Sequence, residues 1–282
     1  MKKLISIALL ITMLAAMLAV NVLAVDGGDN YGNVPQAKGV AITIDGKKDA
    51  IYDQALKIDV KRDPTSKTDS TAVGYLVWDT GFLYVFVEVK DTQMVKVDTA
   101  LQPTSPWMVD SMEVFVQPGN DGVLVGQYRV DPTGYLSHQT QKTKVTDINL
   151  KGADVKATHF EGAAGELAGG YTTEFKIPMT QVAGAKLGFN FQINDIRNDA
   201  SRVVVYSASK LGATSWDGDK YDYITLGSNA IALPTAATTT KAAASGGTTA
   251  PKTGDNTIAI VAILVLAVCS GAVVVRAKNR AK

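Results

Sequence analysis

The sequence predicts an all-β domain: an antiparallel-rich two-sheet β-sandwich, immunoglobulin-like or jelly-roll-like, with a C-terminal apolar helix in the precursor. Three observations predict it. Between about Val40 and Gly227, short stretches rich in Val, Tyr and Phe alternate apolar and polar residues. Gly, Pro, Asn and Asp punctuate them at short intervals. No stretch inside these limits holds a helical period for three turns, so short strands with frequent turns give a sandwich rather than an α/β fold.

The strands follow in order. "TAVGYLVWD" from Thr71 and "FLYVFVEVKD" from Phe82 are separated by the turn Thr80-Gly81. In the second, Leu83, Val85, Val87 and Val89 share one face and Tyr84, Phe86 and Glu88 the other, which suits an antiparallel sheet. Further strands are expected at Met112–Gln117, Gln127–Asp131, Tyr171–Ile177, Leu187–Asn194 and Val203–Ser207. In the first of these, Met112, Val114 and Val116 alternate with Ser111, Glu113, Phe115 and Gln117.

The ends read differently. Lys2 and Lys3 precede an apolar run, Leu4 to Val20, and Val22 and Ala24 supply a small-residue cleavage pattern. Residues 1–24 are therefore expected to be a secretory signal peptide, the alternative being an N-terminal membrane anchor. Residues 25–39 are polar and glycine-containing and are expected to be loose. Residues 40–227 are long enough for one domain with a sizeable core. Residues 228–250 collapse to a few small types, as in "ALPTAATTTKAAASGGTTA", a composition that buries no core and suits a flexible stalk. Residues 251–282 begin PKTG, continue in an apolar run over 258–275 and end with Arg276, Lys278, Arg280 and Lys282. A run of about 18 apolar residues can cross a bilayer, and the basic tail marks its cytoplasmic side.

That last region resembles the cell-wall sorting signal of Gram-positive surface proteins, which usually begins Leu-Pro-x-Thr-Gly; Ala250 stands in the leucine position. The resemblance implies cleavage by a sortase between Thr253 and Gly254, a transient membrane span and a bond from Thr253 to peptidoglycan. A plain C-terminal membrane anchor is the alternative. Both place the domain outside the cell, at a Gram-positive surface.

Charge and cysteine exclude other classes. Of 28 Lys+Arg, Lys2, Lys3 and the four tail residues lie outside Val25–Thr253, leaving 22; of 27 Asp+Glu, only Asp255 does, leaving 26. A net charge near −4 gives no basic stripe for a phosphate backbone, so nucleic acid is excluded as a partner. The one cysteine, Cys269, lies in the apolar run, so the exported part has no disulfide and no thiolate metal site. His138 and His159 have no metal-ligand spacing, and no Gly-x-Ser-x-Gly elbow is present. No pair of carboxylates is singled out for glycoside cleavage. The chain is read as having no catalytic activity and no catalytic cofactor.

The tryptophans carry the functional reading. Trp78 lies in a strand and suits core packing. Trp107 ("QPTSPWMVD") and Trp216 ("LGATSWDGDKYD") lie in polar loops near the surface. An indole face suits the C–H face of a pyranose ring; packing back over the core is the alternative for each.

From Ile42 to Leu226 the chain resembles a family 9 carbohydrate-binding module, a relative of the DOMON-like sandwiches. The resemblance rests on the order of "IDGKKDAIYDQA", "VWDTGFLYVFVEVKD", "PWMVDSMEVFVQPGN", "QYRVD", "GYTTEFKIP", "LGFNFQINDI" and "SWDGDKYDYITLG". Tyr52 replaces the family's usual tryptophan in the first motif. The resemblance implies that Trp107 and Trp216 sandwich a terminal sugar of a plant-type polysaccharide or oligosaccharide, reducing ends included. It implies that Glu113, Arg129, Gln192 and Arg202 reach its hydroxyls. Glu accepts two hydroxyl hydrogens, Arg offers a planar fork of donors, and Gln both donates and accepts. A cross-strand Glu113–Arg129 ion pair and a solvated Arg202 are the structural alternatives. Ala213 and Met112 stand where polar side chains can occur, and each hydrogen bond lost there costs about 1 kcal/mol.

The family's structural calcium is also expected, on "DGKKD" (Asp45 to Asp49), "DGDKYD" (Asp217 to Asp222) or Asp110. Two rival readings remain open: a haem-binding DOMON-like protein, with His138, His159, Met108 and Met112 as candidate axial ligands, and a structural or adhesive module with a degenerate sugar slot.

Overall fold

The computed structural model describes residues 28–60, 68–119, 124–142, 145–208 and 216–233. The expected signal peptide, the sorting signal with its apolar helix, Thr253 and Gly254, and all of the stalk beyond residue 233 lie outside the described residues.

Among the described residues thirteen strands form one curled sheet, eleven along one path and two pairing off it. One half holds β5 (Ser111–Gln117), β6 (Leu124–Val130), β7 (Leu136–Lys142), β8 (Val145–Lys151), β11 (Lys186–Ile196), β12 (Arg202–Tyr206) and β13 (Asp222–Ala230). The other holds β2 (Leu56–Val60), β3 (Thr71–Asp79), β4 (Phe82–Lys90), β9 (Glu161–Leu167) and β10 (Gly170–Pro178). Off the path, β12 pairs with β11 and β2 with β3. A six-residue helix, α1 (Ala153–Thr158), links β8 to β9. β3 and β4 form in register around their tight turn, Thr71 opposite Lys90 and Asp79 opposite Phe82. The expected strands are all present, most with ends a residue or two different.

Two features differ from the sequence expectation. The stretch expected to be loose carries β1 (Asn30–Gln36), and β13 runs on to Ala230, past Gly227. β1 pairs parallel with β13 and, through the single register Gln36–Trp78, with β3. The two expected sheets are therefore two halves of one curled sheet, joined through β1; the other pairings are antiparallel. β1 is polar in sequence, and only Val34 is fully buried. Its strand form comes from partners nearly 200 residues away, not from its own periodicity.

The halves face one another across the main core. Leu83, Val85, Val87 and Val89 of β4 meet Met112, Val114 and Val116 of β5 in one apolar cluster. Each such buried side chain contributes about 1.5–3 kcal/mol. The approach is closest at Gly74 of β3, where a Cβ would lie 2.3 Å from the ring of Phe191 in β11. A side chain there would force the halves apart, an overpacking cost of about 1–3 kcal/mol. Trp78 is core, as expected: it is 3% exposed, and its indole N–H donates to the Gly227 carbonyl at 2.9 Å. The outer face of β3 and β4 gains a second core, because the short turn Ala50–Gln54 lays Ile51 and Tyr52 over Tyr75 and Phe86. Tyr52 donates its hydroxyl to buried Glu174 at 3.0 Å, so the tyrosine that replaces the family's tryptophan still plugs this position.

Candidate functional site

On the side of β5 opposite Met112, Val114 and Val116, strand pairing builds a polar row. Glu113 lies opposite Gln192 on β11 and opposite Arg129 on β6. Arg129 faces Ser137 on β7, and Gln192 faces Tyr206 on β12. One register line thus crosses five strands, and rigid backbone sets the spacing of its side chains.

The side chains bond along this line. Glu113 is fully buried; Oε1 accepts from Arg129 Nε at 2.7 Å and from Asn194 Nδ2, and Oε2 accepts from Gln127 Nε2 at 2.6 Å. Arg129 passes Nη1 to Ser137 Oγ at 2.7 Å. Asn194 Oδ1 accepts from Gln192 Nε2 at 2.8 Å and from Arg202 Nε at 2.9 Å. The cross-strand ion pair left open by the sequence is therefore real, with Glu113 and Arg129 both buried. Its charges are tolerable inside the protein because nearly every polar atom has a partner. Arg202 is exposed overall; burial of its guanidinium pulls its pKa below the ordinary arginine value, with Arg129 adding to the effect and Glu113 opposing it.

Two buried atoms in this region have no partner among the described residues: Gln192 Oε1, an acceptor, and Asn190 Nδ2, a donor. Leaving such atoms dry costs about 1–3 kcal/mol each. A hydroxyl both donates and accepts, so it is the kind of group that answers both.

Trp216 is half-buried and meets Phe115 edge-on, with centroids 5.5 Å apart. Phe115 is two residues from Glu113 on the same side of β5, so Trp216 borders the polar row. Trp107 is 41% exposed on the short turn Pro106–Met108, which feeds β5. The structure therefore joins Glu113, Arg129, Gln192 and Arg202 in one network, sets Trp216 beside it and leaves Trp107 open at the start of the strand. Asn194, Gln127 and Ser137 are members that the sequence reading missed. Asn194 had a signal: in "FNFQIND", Asn190, Gln192 and Asn194 alternate with Phe189, Phe191 and Ile193.

A second polar cluster lies at the strand ends. Asp91, Asp110 and Asp195 are all buried, and one oxygen from each lies within 4.8 Å of the others. Burial raises Asp110 to about 7, with the charges of Asp91 and Asp195 adding to it. Asp195 Oδ2 accepts from Arg197 at 3.2 Å and from Thr68, while its buried Oδ1 has no partner among the described residues. The buried Tyr171 hydroxyl has none among them either; burial pushes it up, and the charges of Asp110 and Asp91 add to the effect. Three carboxylates without nitrogen or sulfur ligands suit a hard cation, and calcium before others. Of the sequence's calcium candidates, only Asp110 falls in such a group. Asp45 and Asp49 accept from the backbone N–H groups of Lys47 and Thr43, both at 2.9 Å. Asp217 pairs with Lys220 at 3.0 Å, and Asp222 accepts from the Asp29 N–H at 2.8 Å.

Of the candidate haem ligands, His138 and His159 pack ring against ring, with centroids 5.0 Å apart and planes 37° apart, an arrangement of direct contact between the rings. Met112 belongs to the main core, whereas His138 stacks on Tyr128 with centroids 4.6 Å apart. His138 Nδ1 lies 2.9 Å from the Gln127 carbonyl oxygen, to which it donates. Burial, with the charge of His159, pulls His138 down to about 4. The unfolded chain then takes up a proton that the folded chain refuses. Stability is expected to hold above pH 6.5 and to fall by up to about 3 kcal/mol as the pH drops toward 4. Urea melts of the wild type and His138→Phe at pH 7 and pH 4.5 check this, and the variant should lose that part of the pH dependence.

Comparison with known proteins follows the same outline. A family model described as "Carbohydrate family 9 binding domain-like" matches residues 44–228. Endo-1,4-beta-xylanase A of Thermotoga maritima is 28% identical over 212 residues, which are 70% of this chain and 19% of the xylanase. Exoglucanase XynX of Acetivibrio thermocellus is 28% identical over 181 residues, 61% of this chain and 15% of the exoglucanase. The chain thus spans less than a fifth of either relative's length. Among solved structures, a family 9 carbohydrate-binding module from Caldicellulosiruptor kristjanssonii in complex with glucose superposes with a TM-score of 0.56 at 23% identity, covering 73% of this chain and all of the module. The cellotriose complex of a family 9 module from the same organism gives 0.54 at 23% identity, covering 71% and 93%.

Proposed function

Because this chain belongs to the carbohydrate family 9 binding domain-like family, whose model covers residues 44–228, we propose that it binds the end of a glucan-type oligosaccharide or polysaccharide without cleaving it. The observation that carries the reading is the buried polar row, with Gln192 Oε1 and Asn190 Nδ2 unpartnered beside a half-buried Trp216. In this reading Trp216 and Trp107 stack on the two faces of the terminal ring. Glu113 Oε2 accepts a sugar hydroxyl, because it holds one hydrogen bond and a carboxylate oxygen accommodates two. Arg129 and Gln127 fix Glu113, Arg202 donates from the rim, and buried Gln192 accepts through Oε1.

The ends of the chain give the domain its place. Residues 1–24 direct export, and the PKTG motif with its apolar run and basic tail hands Thr253 to a sortase for attachment to peptidoglycan. The Ala/Thr-rich stretch beyond residue 233 serves as a tether with a reach on the order of 20 Å. Many tethered copies on one cell turn a weak single site into firm attachment. Calcium bound by Asp91, Asp110 and Asp195 braces the strand ends.

Calorimetry of the full chain in a detergent without a sugar headgroup tests the reading. Glucose, cellotriose and borohydride-reduced cellotriose are the three titrants. Binding of the first two and loss with the third supports a site for reducing ends. Equal binding of all three removes end recognition, and no heat with any of them defeats the sugar reading.

A further inference from the structure

The acidic cluster and the exposed tryptophan belong to the same connection. The chain leaves β4 at Lys90 and enters β5 at Ser111. Asp91 is the first residue of the link between them and Asp110 the last, and Trp107 lies near its second end. Between these ends the link is held by turns: Thr104 and Ser105 donate backbone N–H groups to the Leu101 carbonyl, and Met108 donates to the Ser105 carbonyl. Side chains tie it to neighbouring elements: Gln102 donates to Asp131 at 2.6 Å, Lys151 donates to the Pro103 carbonyl at 2.9 Å, Thr92 donates to Asp69, and Asp110 accepts from the Ile196 N–H of β11 at 2.7 Å. The third carboxylate, Asp195, is on β11 one residue beyond Asn194, the hub of the polar row.

We propose that a calcium ion held by Asp91, Asp110 and Asp195 closes the base of this link, setting the position of Trp107 against β11, so that calcium and sugar strengthen each other's binding. The inference rests on the sugar reading for its second half and on the chain's own geometry for its first. Three carboxyl groups whose oxygens lie within 4.8 Å in a buried place resist being charged together, and Arg197 offsets only part of that cost. Without a cation the base of the link rests on the hydrogen bond from the Ile196 N–H to Asp110 Oδ1 at 2.7 Å, working against the crowding of the three carboxyl groups. With one, the same carboxylates become a three-point clamp, and the unpartnered Asp195 Oδ1 and Tyr171 hydroxyl gain an ion and its bound water to face. Trp107 stands three residues from Asp110, so it moves with the clamp, whereas Gln192 and Glu113 are fixed by strand pairing whatever the cation does. Linkage is reciprocal: whatever factor calcium adds to sugar affinity, sugar adds to calcium affinity.

The test uses the full chain in a detergent without a sugar headgroup, with calcium chloride or with EGTA. Cellotriose should bind about tenfold more tightly with calcium, within the usual range of coupling between sites. Calcium alone should raise the melting temperature and shift tryptophan emission, and the emission shift should vanish in Trp107→Phe while the rise in melting temperature remains. Asp195→Asn should lose all three responses; if that variant fails to fold, the wild-type comparison decides. A cellotriose affinity equal in calcium and EGTA overturns the coupling and leaves the sugar reading intact. An absence of any calcium response overturns the clamp. If cellotriose binds in neither condition but the Trp107-dependent emission shift is present, the sugar reading falls and the clamp is supported.

Discussion

Replacing Glu113 with alanine is expected to lower the unfolding free energy by about 3–5 kcal/mol, the cost of stranding a buried charge. Arg129 is the charge left behind: it is 5% exposed, and among the described residues its acidic partner is Glu113. Asn194 and Gln127 lose acceptors at the same time. Removing both charges is a different experiment. In Glu113→Leu with Arg129→Met the stranded charge is gone, and an apolar pair of similar volume often matches a buried ion pair in stability. The double variant should therefore recover most of the loss in urea melts yet show no sugar binding by calorimetry. Recovery of both stability and binding would mean that the row is scaffold alone, which was the structural alternative the sequence left open. The ion pair by itself does not choose between these roles, because fixing a ligand-facing carboxylate and closing a buried network need the same bonds.

Much of the fold was legible where local pattern and final environment agree. β3 is readable to the residue and β4 to within one, because Leu83, Val85, Val87 and Val89 alternate cleanly and the Thr80-Gly81 turn fixes their register. β1 was not legible, since its sequence, NYGNVPQ, carries no apolar alternation and becomes a strand only between β13 and β3. The site shows the same division. Glu113 and Gln192 could be assigned to strands, but their direct opposition is a fact of β5–β11 register that no single stretch contains. Asn194 was readable from alternation and was overlooked because a short amide between Ile193 and Asp195 carries no chemistry of its own. Asp91 and Asp195 are about a hundred residues apart in sequence and meet only through the sheet. Asp45, Asp49 and Asp222, which look like calcium ligands in sequence, accept from backbone N–H groups, and Asp217 pairs with Lys220.

The two tryptophans are expected to separate stability from binding. Trp107→Ala should change the melting free energy by no more than about 0.5 kcal/mol, as for an exposed residue away from any network, while cellotriose affinity falls about 30-fold, or about 2 kcal/mol. Trp216→Ala should weaken both. Its edge contact with Phe115 is part of the small cluster with Val125 and Tyr221, so about 1–2 kcal/mol of stability goes with the lost aromatic contact and packing. The contrast matters more than either value. A large affinity loss in Trp107→Ala without a stability loss cannot come from unfolding, and it identifies the exposed indole as ligand-facing. If the two rings stack on opposite faces of one sugar, the second removal finds little left to weaken. The double variant should then lose less affinity than the sum of the singles. Additive losses would place the two indoles on different sugar residues, and an unchanged affinity in Trp107→Ala would leave Trp216 as the one aromatic wall.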